Sequence, residues 1–356
     1  MSDPKDFLER LLEEPGPSGF ESRPARVWRA EAQGFTDRVW SDVHGNSFAE
    51  VGKDRRPRVM LAGHVDEIGF QITHVDEDGF LYMDGIGGWD PQVVVGQRVR
   101  VMGRQGDVPG VVGKKPIHLL KPDDRKKVSE LSDLWVDLGA ASSEEVSELG
   151  VRVGDPMVLS PGFLRLAGDR IASRAIDNRA GAYVVLEALR FLADDPPPHA
   201  GAVAVATVQE EIGYTGGGAR SSAFALDPDV ALVVDVTFST DVPDANKKEL
   251  GEHGIGAGPV LSRGSAMHPF VFDRLTEIAD REEIPYSVQA APRASRTDAD
   301  GIFLVRTGVP TGLVSIPNRY MHSPNEVVSV EDLVRAARLL AGFVRSLEAE
   351  NPFVQV

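Results

Sequence analysis

Four apolar runs in this chain end on acidic or imidazole side chains. Val59-Met60-Leu61-Ala62 runs into His64 and Asp66, and Ala202 to Val208 runs into Gln209-Glu210-Glu211. Ala231-Leu232-Val233-Val234 runs into Asp235, and Leu313-Val314-Ser315-Ile316 leads to a loop carrying His322. In open α/β sheets, ligands bind outside the carboxyl ends of the strands. Four strands that deliver His, Glu, Asp and His to such an edge point to one convergent site.

Helical patterns alternate with these strands. Phe7, Leu8, Leu11 and Leu12 recur at helical spacing until Pro15-Gly16 stops them. Ala182, Val185, Leu186, Leu189 and Leu192 mark a helix that ends before Pro196, and further helices are predicted over Pro269 to Glu283 and Val330 to Glu348. Strands alternating with helices predict a three-layer α/β/α domain around a mixed, largely parallel sheet. From Gln71 to Pro161 the texture differs. Gly and Val dominate, alternation is frequent, and turns such as Glu77-Asp78-Gly79 punctuate it. The chain therefore reads as a discontinuous domain over 1–70 and 166–356. A small, β-barrel-like domain over 71–165 is inserted into it, with a short acidic helix near Ser143 to Leu149.

Composition narrows the chemistry. The 356 residues hold 54 acidic and 38 basic side chains, a net charge of -16. Such a surface repels phosphate backbones and argues against nucleic acid as a partner. There is no cysteine, which excludes disulfides, thiolate metal sites and cysteine nucleophiles. Any metal must be held by His, Asp and Glu. Met1 to Glu14 do not read as a signal peptide, and no apolar run reaches bilayer length. The expectation is a cytoplasmic protein without membrane contact.

Each site residue also has a plainer explanation. Asp177 precedes a helix and reads equally as its N-cap. Glu210-Glu211 reads as a solvated strand end, and His322 as a loop histidine. Asp235 ends a fully apolar strand, where an unpaired carboxylate is costly, so a cationic partner is favoured. His64 lies between Gly63 and Gly69 with Asp66 two residues on, and a carboxylate beside a ligating histidine fixes its tautomer. The remaining histidines lack such a setting.

Together, the motifs resemble those of the tetrahedral and glutamyl aminopeptidases, family forty-two of the metallopeptidases. Gly63-His64-Val65-Asp66-Glu67-Ile68-Gly69 is similar to the first metal motif, and Ala175-Ile176-Asp177-Asn178-Arg179 to the bridging-aspartate motif. Gln209-Glu210-Glu211-Ile212-Gly213 is similar to the catalytic Glu-Glu pair. Val234-Asp235-Val236-Thr237 resembles the third ligand, and Arg319-Tyr320-Met321-His322-Ser323-Pro324 the last. The order and spacing agree over nearly the whole chain, and Lys114 to Leu120 and Val151 to Pro156 resemble segments of the family's inserted domain.

The resemblance implies two divalent cations per subunit, zinc or cobalt, bridged by Asp177. One would also be held by His64 and Asp235, the other by Glu211 and His322. Glu210 would be the general base and Asp66 would orient His64. The implied activity is hydrolysis of the first peptide bond of short peptides. The implied assembly is a homo-oligomer, commonly a tetrahedral dodecamer built partly through the inserted domain. Glu210 and Glu211 are adjacent, and neighbours on an extended backbone face opposite ways, so a local turn must bring both inward.

Two positions depart from the family pattern. Gly216-Gly217-Gly218 is more glycine-rich than the family pattern, which implies a different loop flexibility after the Glu pair. Arg296 stands where the family often has glycine, which marks Arg296 and Asp298 as candidate substrate-binding residues. A deacylase or carboxypeptidase on the same scaffold would need a cation to read a substrate carboxylate, for which Arg179, Arg293 and Arg296 are candidates. A non-catalytic assembly protein of the same fold is the other rival.

Overall fold

The computed structural model describes residues 4–213, 217–349 and 353. Its main sheet has eight strands. Their order across the sheet is Val39–Ser41, Ser47–Val51, Gly201–Thr207, Arg58–His64, Val230–Phe238, Thr311–Asn318, Val260–Gly264 and Ser287–Ala291. The central four are mutually parallel; Ser47–Val51 and Val260–Gly264 pair antiparallel with the outer two of them, and Ser287–Ala291 runs parallel to Val260–Gly264 at the edge. Each central strand is apolar along its length because helices cover both faces. Leu61, Ala204, Leu232 and Val234 join one buried cluster, whereas Met60, Ala62, Val205 and Val233 join another. This is the alternation that a strand's period of two requires.

On one face lie the helices Ile176–Asp194, Val330–Arg345 and Pro269–Arg281; on the other lie Gly217–Leu226 and Asp298–Ile302. The three layers expected from the sequence are therefore present. The strands Gly69–Val75, Leu81–Ile86, Leu134–Asp137, Gly106–Lys114, Arg98–Gly103 and Pro156–Leu159 close into a separate barrel with its own core around Phe70, Val101 and Met157. Leu164–Arg165, Arg170–Ser173 and Glu326–Ser329 form a small third sheet. Among the described residues, no helix is long and apolar enough to cross a membrane.

Close approach fixes the geometry below the rim. A Cβ on Gly63 would lie 2.5 Å from the backbone of Gly181, and one on Gly181 would lie 2.4 Å from the Asn178 side chain. Glycine at both positions lets the long helix press its first turn against the strand that carries His64. The helix then delivers Asp177 to the same rim.

Candidate metal centre

Strand register sets His64 and Asp235 side by side. Ala62 pairs with Val233 across the parallel ladder, and two residues further each strand presents its polar side chain. His64 Nε2 lies 3.8 Å from Asp235 Oδ1, 3.4 Å from Asp177 Oδ1 and 3.7 Å from Glu210 Oε2. The other oxygen of Asp177 faces the other histidine: His322 Nε2 is 3.4 Å from Asp177 Oδ2 and 3.4 Å from Glu211 Oε2. Asp177 thus offers one oxygen to each of two groups, His64–Asp177–Asp235 and Asp177–Glu211–His322. Within each group, atoms of the three side chains converge to within 4.8 Å of one another.

Asp177 is no helix cap. Its backbone and that of Asn178 are non-helical inside the segment Ile176–Asp194, and its carboxylate faces the two imidazoles. Ala175, just before it, has φ 59°. Left-handed backbone at a non-glycine residue is uncommon and clusters at functional sites. Gln209 repeats the pattern with φ 61°, and the Gly213 amide closes a turn on the Glu210 carbonyl at 2.8 Å. Glu210 and Glu211 consequently line one cavity. Asp66 holds this turn from below, accepting the amides of Glu210 at 3.2 Å and Glu211 at 3.1 Å and the Ser18 hydroxyl at 2.5 Å.

Both imidazoles are oriented alike. His64 Nδ1 lies 3.3 Å from the Asp66 carbonyl and 3.4 Å from Asp66 Oδ1; His322 Nδ1 lies 2.9 Å from the Gly88 carbonyl. A carbonyl only accepts, so each Nδ1 carries a proton and each ring turns its Nε2 toward the carboxylates, either as an N–H donor when the ring is protonated or as a lone pair when a metal cation takes that proton's place. Lone pair facing lone pair at such distances is repulsive, so either a proton on Nε2 or a metal cation must lie between them.

The acids report the same crowding. Burial, with Asp235, Asp298 and Glu211 nearby, pushes Glu210 up to about 10 against the pull of His64. Burial and Asp177 push Glu211 up to about 7, and burial lifts Asp235 well above the usual carboxylate range. Burial likewise raises Asp298 to about 6. Asp177 moves the other way: burial works against ionisation, but bonds to His322 and His64 bring it to about 2. Burial opposes the charge on His322, yet Asp177 and Glu211 hold it up at about 11. Carboxylates this close cannot all ionise without added positive charge. Glu211 Oε1 is also buried with no hydrogen-bond partner among the described residues. Imidazole nitrogens and carboxylate oxygens, without sulfur, suit borderline divalent metals.

The cluster lies in a cavity of about 920 Å³ whose walls include Arg296, Asp298, Thr237, Phe238 and Leu304. Asp298 accepts the Thr207 hydroxyl at 2.5 Å through Oδ2, while its Oδ1 is buried and unpartnered among the described residues. Arg296 is exposed at the wall. Arg179 is elsewhere. It is fully buried, bonded to Glu67 and to the carbonyls of Val65, Leu11, Leu12 and Glu14, and so is not available to read a substrate. The glycines after the Glu pair also differ from expectation. Gly217 and Gly218 begin the helix Gly217–Leu226, and a Cβ on Gly218 would strike Asn46; Gly216 lies outside the described residues. Close packing, not loop flexibility, accounts for Gly218.

Sequence reasoning missed Glu326. Its carboxylate accepts the amide of Asp177 at 2.8 Å and that of His322 at 2.8 Å. The available signal was an acid opening the apolar strand Glu326-Val327-Val328, four residues after His322. The Gly88 carbonyl had no sequence signal, because any residue supplies one.

Comparisons with known proteins bear on the family and the fold. A family model described as M42 glutamyl aminopeptidase matches residues 45–339. The lysyl aminopeptidase of Pyrococcus furiosus is 36% identical, over 96% of this chain and 97% of its own length. Among solved structures, the TET aminopeptidase of a marine-sediment Thaumarchaeota archaeon superposes with a TM-score of 0.91 at 35% identity, covering 97% of this chain and 96% of that one. The Pyrococcus horikoshii TET1 peptidase, described as assembling into a tetrahedron or a large octahedral shell, gives 0.85 at 28% identity, covering 97% of this chain and 100% of that one.

Proposed function

The chain belongs to the M42 glutamyl aminopeptidase family and is a metal-dependent aminopeptidase, and from that premise we propose that it removes the first residue of short peptides with two divalent cations per subunit. His64 and Asp235 would hold one cation, Glu211 and His322 the other, and Asp177 both. The observation that carries this reading is the division of Asp177, with Oδ1 3.4 Å from His64 and Oδ2 3.4 Å from His322.

When bound, the cations supply Lewis acidity: they polarise the scissile carbonyl and acidify the attacking water. Glu210, which faces His64 across 3.7 Å, takes the proton from that water and returns it to the departing amine. Asp66 keeps His64 in the Nδ1–H form and holds the Glu210–Glu211 turn. Asp298, with its unpartnered Oδ1, and the neighbouring carboxylates favour a substrate ammonium, and Arg296 meets the residue bound at the wall. The discontinuous unit 1–70 and 166–356 carries the chemistry in this reading. The inserted unit 71–165 carries subunit contacts in a homo-oligomer like the shells of the TET relatives, which would limit substrates to short peptides.

Two outcomes test the proposal. Aminoacyl chromogenic substrates should be cleaved, the activity should vanish after chelation, and zinc, cobalt or manganese should restore it. Full turnover in the chelated, metal-free protein would remove the cations from the reaction. N-acetylated peptides should resist cleavage, because the acidic cluster reads a free amine; their efficient hydrolysis, followed by product release in a chromatogram, would contradict exopeptidase action.

A further inference from the structure

Glu326 does not approach either imidazole through its side chain alone; it grips backbone. It opens the strand Glu326–Ser329, pairs with Ser173 and is 2% exposed. Its Oε2 accepts the Asp177 amide and its Oε1 accepts the His322 amide, each at 2.8 Å. One carboxyl group that accepts two amide protons, one on each oxygen, fixes both segments in a single geometry. The two amides belong to segments 145 positions apart in the chain, and both segments carry left-handed non-glycine backbone: Ala175 at φ 59°, Tyr320 at 62° and His322 at 58°. Each such residue is energetically unfavourable and persists only where its surroundings over-determine it.

We infer that Glu326 is a positioning residue: its single carboxylate locks Asp177 and His322 in mutual register and so builds the Asp177–Glu211–His322 half of the centre. The inference rests on the two-cation reading above. Asp177 and His322 both belong to that half, whereas His64 and Asp235, which complete the other half, project from strands that Glu326 does not touch. Asp177 serves both halves, so loss of Glu326 should weaken the Glu211–His322 cation, which depends on both gripped ligands, more than the His64–Asp235 cation, which depends on one. Residues that orient ligands in this way are worth about ten- to a hundredfold in metal affinity. Gln at this position keeps the shape but offers one acceptor oxygen, so one of the two amides would face an NH₂ group and lose its partner.

The test is titration of the chelator-stripped full chain with cobalt(II), followed by calorimetry and visible absorption, with far-ultraviolet circular dichroism as the fold control. Wild type should bind two equivalents. Glu326→Ala should weaken one equivalent about ten- to a hundredfold and the other clearly less, and Glu326→Gln should fall between. Unchanged binding of both equivalents, or equal weakening of both, overturns the inference. Unfolding of the metal-free Gln variant, which a positioning role does not produce, overturns it as well. Wild type that binds no cobalt would overturn the two-cation reading itself, and the inference with it.

Discussion

Glu210→Gln is expected to keep both cations and to lose about a hundred- to ten-thousandfold in kcat. The substitution preserves shape and removes the proton acceptor. Glu210 stands apart from both three-residue groups that converge on a common point, so its amide should leave cation affinity nearly intact. Its amide nitrogen, not its side chain, is what Asp66 holds, so the turn should survive. In the cation-free site, burial and the neighbouring acids raise Glu210 to about 10. Cations bound beside it favour the ionised form and bring it toward the range a general base needs. Metal content by elemental analysis, set beside kcat, decides the matter. Two cations with near-normal turnover would take Glu210 out of the reaction; loss of metal would recast it as a ligand.

Arg179→Met should destabilise the fold by about 3–5 kcal/mol, the cost of breaking a buried charge pair from one side. Arg179 donates to Glu67 at 2.8 Å, to the Val65 carbonyl at 3.1 Å and to the Leu11 carbonyl at 2.9 Å, with Leu12 and Glu14 beside it. One side chain thus ties the C-terminal end of the helix Pro4–Glu13 to the segment that follows His64. Met fills the channel but leaves those carbonyls unpaired and Glu67 with Arg174 as its remaining cation. A chemical-denaturation midpoint reads the loss directly. A variant within about 0.5 kcal/mol of wild type, the range of ordinary surface changes, would show that the network contributes little.

The contrast between these two residues shows what was legible in the sequence. His64, Asp235 and the Glu pair announce themselves because an apolar strand has no reason to end on a charge it must bury, and parallel strands bring their ends to one rim. The layers follow from the same runs, since residues buried on both sides need helices on both faces. Arg179 was misleading: sequence shows a charge beside a ligand motif but not that the helix start turns it inward beneath the rim. Gly218 was misread for a similar reason, as its need is set by Asn46, far away in the chain. Glu326 escaped notice because its partners are peptide amides, which every residue has.

One contact, the Gly88 carbonyl on the His322 ring at 2.9 Å, reaches across from the barrel. Gly88 lies between the barrel strand Leu81–Ile86 and the short helix Pro91–Val94, with Trp89 stacked on Phe70 at 4.5 Å just behind it. The proton on that imidazole is therefore assigned by a piece of chain outside the layered scaffold. Trimming the molecule to its sandwich would leave His322 free to spin or to adopt the wrong tautomer.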